Sequence, residues 1–197
     1  NSYNSYDEAI NLAGGSLGVT VTLKDGDGDT VVSNTADISN QVQFKDDGPT
    51  VAISAQSAVK ASVDESATSS SVGTLALGGY TAGDDPHVSG SGVIATASSS
   101  GAVVSLTTEA YGADGPAGSG SKVYGLTVSN ATSGVSLTDG SAVNLVKVGD
   151  NVLGIVQTGA DANKVAFAIG INSGTGVLTV EQYLSLNHPN AATAGNS

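Results

Sequence analysis

Three features of this chain predict an all-β, antiparallel fold. Glycine occupies 27 of 197 positions and interrupts nearly every window long enough for a helix. The other dominant residues, Ser, Thr, Val and Asn, are mediocre helix formers. Between them recur short runs in which apolar and polar side chains alternate, the period of a half-buried strand, separated by Asp, Asn and Gly turn signals.

Taken in order, the strands are as follows. "LGVTVTLK" (17–24) alternates cleanly, with Val19, Val21 and Leu23 on one face. "VQFK" (42–45) is the next alternating run, and "TVAIS" (50–54) follows it across a Gly48-Pro49 pair. Pro49 fixes its own φ and holds the preceding residue extended, as a stiff link between modules requires. "AQSAVKASVDESATSSSVG" (55–73) is polar and weakly periodic, and reads as a surface excursion or a frayed edge strand. Strands are then expected at "GVIATA" (92–97), "AVVSLTT" (102–108), "KVYGLTVS" (122–129), "VNLVKV" (143–148), "VLGIVQT" (152–158), "VAFAIGI" (165–171) and "GVLTVEQY" (176–183). Asp139-Gly140, Gly149-Asp150-Asn151 and Ser173-Gly174 supply turns at the spacing of a β-sandwich of immunoglobulin-like or cadherin-like type. A helical turn stopped by Pro189 is expected to close the segment 179–189. No short-period repeat announces a solenoid. The expected organisation is a strand hairpin over 1–48 and a main sandwich over 49–197.

Composition narrows the function. With 39% hydrophobic residues the chain is long enough to bury a core. Six Lys, no Arg and 18 acidic residues give a net charge of -12, which repels phosphate backbones and anionic lipid headgroups, so neither nucleic acid nor a membrane surface is an expected partner. Cations, or water and salt alone, suit such a surface. The absence of Cys excludes disulfides, thiolate metal sites and thiol catalysis, and suits a chain exported unfolded to an oxidising exterior. No apolar run reaches the roughly 20 residues of a spanning helix, and "NSYNSYDEAI" lacks a signal-peptide pattern and reads as part of a longer chain.

The chemically richest stretch is "KDGDGDT" (24–30). A hard cation such as Ca²⁺ takes six to eight oxygens, and alternating Asp-Gly offers converging carboxylates and accessible carbonyls on a tightly bending backbone. Asp25, Asp27 and Asp29 fit that description, as do the ordinary demands of a hairpin turn, so the heptapeptide alone leaves both readings open. It is not an EF-hand: Thr30 stands where that loop needs Gly, and Ala36 where it needs Glu. Further carboxylates gather at Asp46 and Asp47, before Gly48-Pro49, and at Asp64 and Glu65 in "SVDES". With only Lys24, Lys45 and Lys60 near them in sequence, such a cluster repels itself unless a divalent cation supplies the counter-charge. A Ca²⁺-locked joint drawing on the 25–65 region is the resulting expectation. Asp84, Asp85 and Asp114 sit in acidic loops better read as solvated turns.

Catalysis is not expected. His87 and His188 lie in no recognisable catalytic context, no GxSxG elbow exists, and two His without Cys or HExxH spacing do not make a zinc site. A glycosidase pair would lack the Trp on which sugars stack, and no phosphate loop or dinucleotide fingerprint occurs. The rival to a structural module is a domain that binds sugar or peptide, built on Tyr80, Tyr111 and Tyr124 beside Asp84 and Asp114.

Several stretches, in order, resemble the long repeat domain of giant type I-secreted RTX adhesins of Gram-negative bacteria: "FKDDGPTV" (44–51), "VDES" (63–66), "YGADGP" (111–116), "SGVSLTDGSAVNLV" (133–146) and "GTGVLTVEQYLSLNHP" (174–189). The opening "VTVTLKDGDGDT" (19–30) is similar to the strand and Asp-Gly loop that ends each such repeat. The resemblance implies tandem β-sandwich modules, secreted to the bacterial cell surface, folded and stiffened by Ca²⁺ and working in attachment and biofilm formation. Their partners would be neighbouring modules of the same polypeptide and a host or biofilm ligand. Here the tail-like segment comes first, so residues 1–48 either finish a preceding module or pack on the main body.

Overall fold

The computed structural model describes residues 9–65, 73–85 and 92–188. The fold is all-β and antiparallel, of the sandwich class expected, and the chain divides into two compact units. The first is Asn1–Ala52 with Thr107–Pro116, the second Ile53–Leu106 with Ala117–Ser197.

The first unit is built on one long, interrupted hairpin. β1 (Ala9–Asn11), β2 (Gly18–Val19) and β3 (Thr22–Lys24) run up to the Asp-Gly tip. β4 (Thr30–Val32), β5 (Ala36–Asp37) and β6 (Gln43–Lys45) return from it, after a 3-10 turn at Ser39–Gln41 in the case of β6. Lys24 faces Thr30, Val19 faces Ala36 and Ile10 faces Phe44 across the antiparallel pairs. The expected continuous strand 17–24 is thus split. Ser33 fills the break, its hydroxyl accepting the Val21 N–H while its own N–H donates to the Val21 carbonyl. The hairpin is pinned near its middle by Ser39, which is fully buried: its hydroxyl donates to Asp37 Oδ1 at 2.5 Å and accepts the Leu17 N–H at 3.0 Å. The face predicted to carry Val19, Val21 and Leu23 buries none of them; they are 44%, 54% and 65% exposed. A two-stranded ribbon has no opposing layer to cover its apolar side, and alone it is marginally stable.

The second unit holds every buried apolar side chain among the described residues, from Val93 to Leu184. Its centre is a six-stranded sheet of β8 (Ala95–Ala102), β10 (Thr132–Ser136), β11 (Ala142–Val148), β12 (Asn151–Val156), β13 (Val165–Ile171) and β14 (Val177–Gln182), in the spatial order β10-β11-β12-β13-β14-β8. Every neighbouring pair is antiparallel. The sheet curls: beyond β14, Leu186 bridges to Leu137 and the Asn187 N–H donates to the Ser136 carbonyl at the end of β10. One core cluster joins Leu153, Ile155, Val165, Ala168 and Tyr183 to Val93, with Leu75, Leu77 and Ala82 packed on it. A second joins Val143, Val156, Ala166 and Phe167 to Leu137 and Leu184. β7 (Thr50–Ala55) and β9 (Val104–Ala110), each of which has residues in both units, form a separate two-stranded sheet; within the second unit the Ser54 and Ser105 hydroxyls are 2.9 Å apart.

Two expectations are corrected. Residues 122–129 form no strand: the Tyr124 N–H donates to the Ser173 carbonyl and the Tyr124 ring lies against Gly176, so the segment is held at Tyr124 and not by a strand ladder. Residues 183–188 form no helical turn; the Tyr183 and Leu184 N–H groups donate to the Ala166 carbonyl, Leu186 bridges Leu137 and the Asn187 N–H donates to Ser136 of β10, so their backbone bonds go to other segments. A strand unforeseen from sequence, β10, carries Gly134 in its middle, where its register against β11 shifts. His87, Pro189 and residues 66–72 of the 55–73 excursion lie outside the described residues.

Candidate cation site on the hairpin tip

The tip of the first unit's hairpin is shaped by Asp25. Its Oδ1 accepts the N–H groups of Gly28, at 3.0 Å, and Asp29, at 2.8 Å, while its own N–H donates to the Asp29 carbonyl. This side-chain-to-backbone turn, the usual work of Asp in a tight loop, folds the chain back on itself. Gly28 has φ of 110°, a conformation an L side chain resists, so glycine is required there. The result is that one carboxylate oxygen from each of Asp25, Asp27 and Asp29 lies within 4.8 Å of the others, all three exposed. Among the described residues this is the one group of three or more His, Cys, Asp or Glu side chains so arranged. A hydrogen bond with the Asp27 side chain, followed by those from the Asp29, Gly28 and Asp27 amides, outweighs desolvation and lowers the Asp25 pKa. Exposed carboxylates gathered that closely repel one another, and a cation among them would relieve the repulsion.

The other predicted ligands are placed elsewhere. Asp46 and Asp47 are in the first unit, where Asp46 Oδ1 accepts the Asp47 N–H at 2.9 Å. The Asp47 carbonyl abuts Gly112, of "YGADGP": a Cβ built on Gly112 would stand 2.0 Å from that oxygen, and its φ is 78°. The structure therefore brings together two loops, "DDGP" and "YGADGP", that sequence reading treated separately. Asp64 and Glu65 are in the second unit. Glu65 Oε1 accepts hydrogen bonds from the Leu186 N–H at 3.0 Å and the Gln182 side chain, with His188 Nε2 at 3.7 Å. It clasps the strap Ser62–Glu65 to the end of β14.

One carboxylate escaped notice in the sequence. Glu181, on β14, is 2% exposed and accepts from the Thr74 N–H (2.6 Å), the Thr74 hydroxyl (2.8 Å), the Leu75 N–H (3.2 Å) and the Tyr183 hydroxyl (2.8 Å). In "LTVEQY" it occupies an ordinary alternating position; only the distant Thr74-Leu75 segment makes it a buried anchor. Of the residues weighed for a sugar or peptide site, Tyr111 donates its hydroxyl to Glu109 at 2.6 Å, Tyr124 packs on Gly176, and Tyr80 is half-exposed.

These features define an all-β, antiparallel chain with one carboxylate cluster, Asp25, Asp27 and Asp29, on an exposed tip among the described residues; Asp85, expected on a solvated turn, is instead buried, because it accepts the Ser185 hydroxyl at 2.7 Å. The chain belongs to the DUF5801 family, a domain of unknown function matched over residues 60–197. No curated protein and no solved structure matches the chain. Asp64, Glu65 and Glu181 lie within the matched residues, and the Asp25, Asp27 and Asp29 cluster lies before them.

Proposed function

We propose that this chain is a non-catalytic, Ca²⁺-stabilised structural module of a large secreted adhesin on the bacterial cell surface, serving attachment and biofilm formation. The observation that carries the reading is the convergence of Asp25, Asp27 and Asp29 on a hairpin that buries almost nothing apolar. Such a hairpin has little cohesive energy of its own. A cation that binds only the folded tip contributes its binding energy to folding, about 2.7 kcal/mol when free ion exceeds Kd a hundredfold. Millimolar Ca²⁺ outside a cell saturates even a weak site, and its scarcity in cytoplasm would leave the chain loose for export. Asp46, Asp47 and Asp64 remain candidates for further ions, whereas Glu65 is committed to the Leu186 amide and the Gln182 side chain; neighbouring modules are the partners this reading implies. Support also comes from the motifs "DDGP", "VDES" and "LTVEQYLSLNHP" and from the acidic, cysteine-free composition.

The test is thermal melting of the full chain in EDTA and in millimolar Ca²⁺, with Mg²⁺ as control. Ca²⁺ is expected to raise a melting transition, and Asp27→Asn or Asp29→Asn to remove that rise while leaving the EDTA melt unchanged. No response to millimolar Ca²⁺ would sink the reading, and saturable binding in a glycan or peptide screen would demote it in favour of a ligand-binding module.

A further inference from the structure

We draw no further inference here: the strongest candidate, the cleft of about 670 Å³ between the Ser62–Glu65 strap and the Phe167, Ile169 and Val180 face of the six-stranded sheet, carries nothing because the Glu65 carboxylate on its rim is already engaged by the Leu186 amide and the Gln182 side chain, and nothing in the structure shows what covers its apolar floor.

Discussion

Glu181 is the residue on which the second unit's local order depends most visibly. A carboxylate taken out of water is costly unless its lone pairs are satisfied, and here donors from Thr74, Leu75 and Tyr183 satisfy them. Glu181→Ala would leave several buried donors without a partner, each costing about 1–3 kcal/mol, so a loss of at least about 3 kcal/mol is expected in urea denaturation. Tyr183→Phe removes one donor and should cost about 1 kcal/mol. Burial pushes the Glu181 pKa up, but the hydrogen bonds from Thr74, Tyr183 and Leu75 together outweigh it, and the net shift is down from 4.5. A carboxyl with a depressed folded pKa contributes stability above its unfolded pKa and loses that contribution as pH falls through the folded value. Stability of the second unit should therefore drop as pH falls below about 4.5, more steeply in the parent than in Glu181→Gln; equal slopes would show that the buried carboxylate is not responsible. Tyr183 shifts upward, first through burial and then through its bond to Glu181, which keeps its hydroxyl protonated as the donor.

At the level of elements, the hairpin of the first unit has the alternation of a half-buried strand pair and the exposure of an unpartnered one. Its cohesion is polar and local. Ser39→Ala would strip the Leu17 N–H of its acceptor beside a buried position, and a cost of about 1–3 kcal/mol is expected, read as faster amide exchange at Leu17 and Ile38. The contact between the "DDGP" and "YGADGP" loops makes a second prediction. Gly112→Ala forces a Cβ into the Asp47 carbonyl from a left-handed backbone, a conformation that alone costs about 1–2 kcal/mol, so exchange of the amides at residues 46–48 should accelerate while that of β12 and β13 stays unchanged. Unchanged exchange at both loops would mean that the close approach is not maintained in solution. β10 makes a complementary point: a Ser- and Gly-rich stretch becomes a strand because β11 offers it a ladder, tolerating a register shift beside Gly134.

For the whole molecule, the two units differ in what holds them. Both core clusters belong to the second, whereas Ser39 is the one fully buried side chain described in the first. A fragment of residues 49–197 is expected to unfold cooperatively with nearly the melting temperature of the full chain in EDTA. A peptide of residues 1–48 is expected to show no cooperative transition without Ca²⁺. Circular dichroism of both fragments checks this, and a large loss of stability in the longer one would show that the hairpin supports the second unit's core. No helix among the described residues is long and apolar enough to cross a membrane.

Much of the fold was legible in the chain because period and turn chemistry are local properties. The runs at 143–148, 152–158, 165–171 and 176–183 became β11 to β14 with small shifts at their ends, and Asp25-Gly-Asp-Gly-Asp announced both its turn and its converging carboxylates. Pairing and burial are not local. "KVYGLTVS" has the pattern of a strand and no ladder to join, whereas β10 has a poor pattern and a neighbour ready to pair. Nor could spacing along the chain say that Glu65 would be engaged by Leu186 and Gln182, that Gly112 would meet Asp47, or that Glu181 would be sealed under Thr74 and Leu75. Sequence established which residues could form strands, turns and carboxylate clusters, since those depend on backbone preference and side-chain type. Tertiary structure alone decided which carboxylates meet and which are buried, because contacts between residues about a hundred positions apart are set by how strands pair and segments pack.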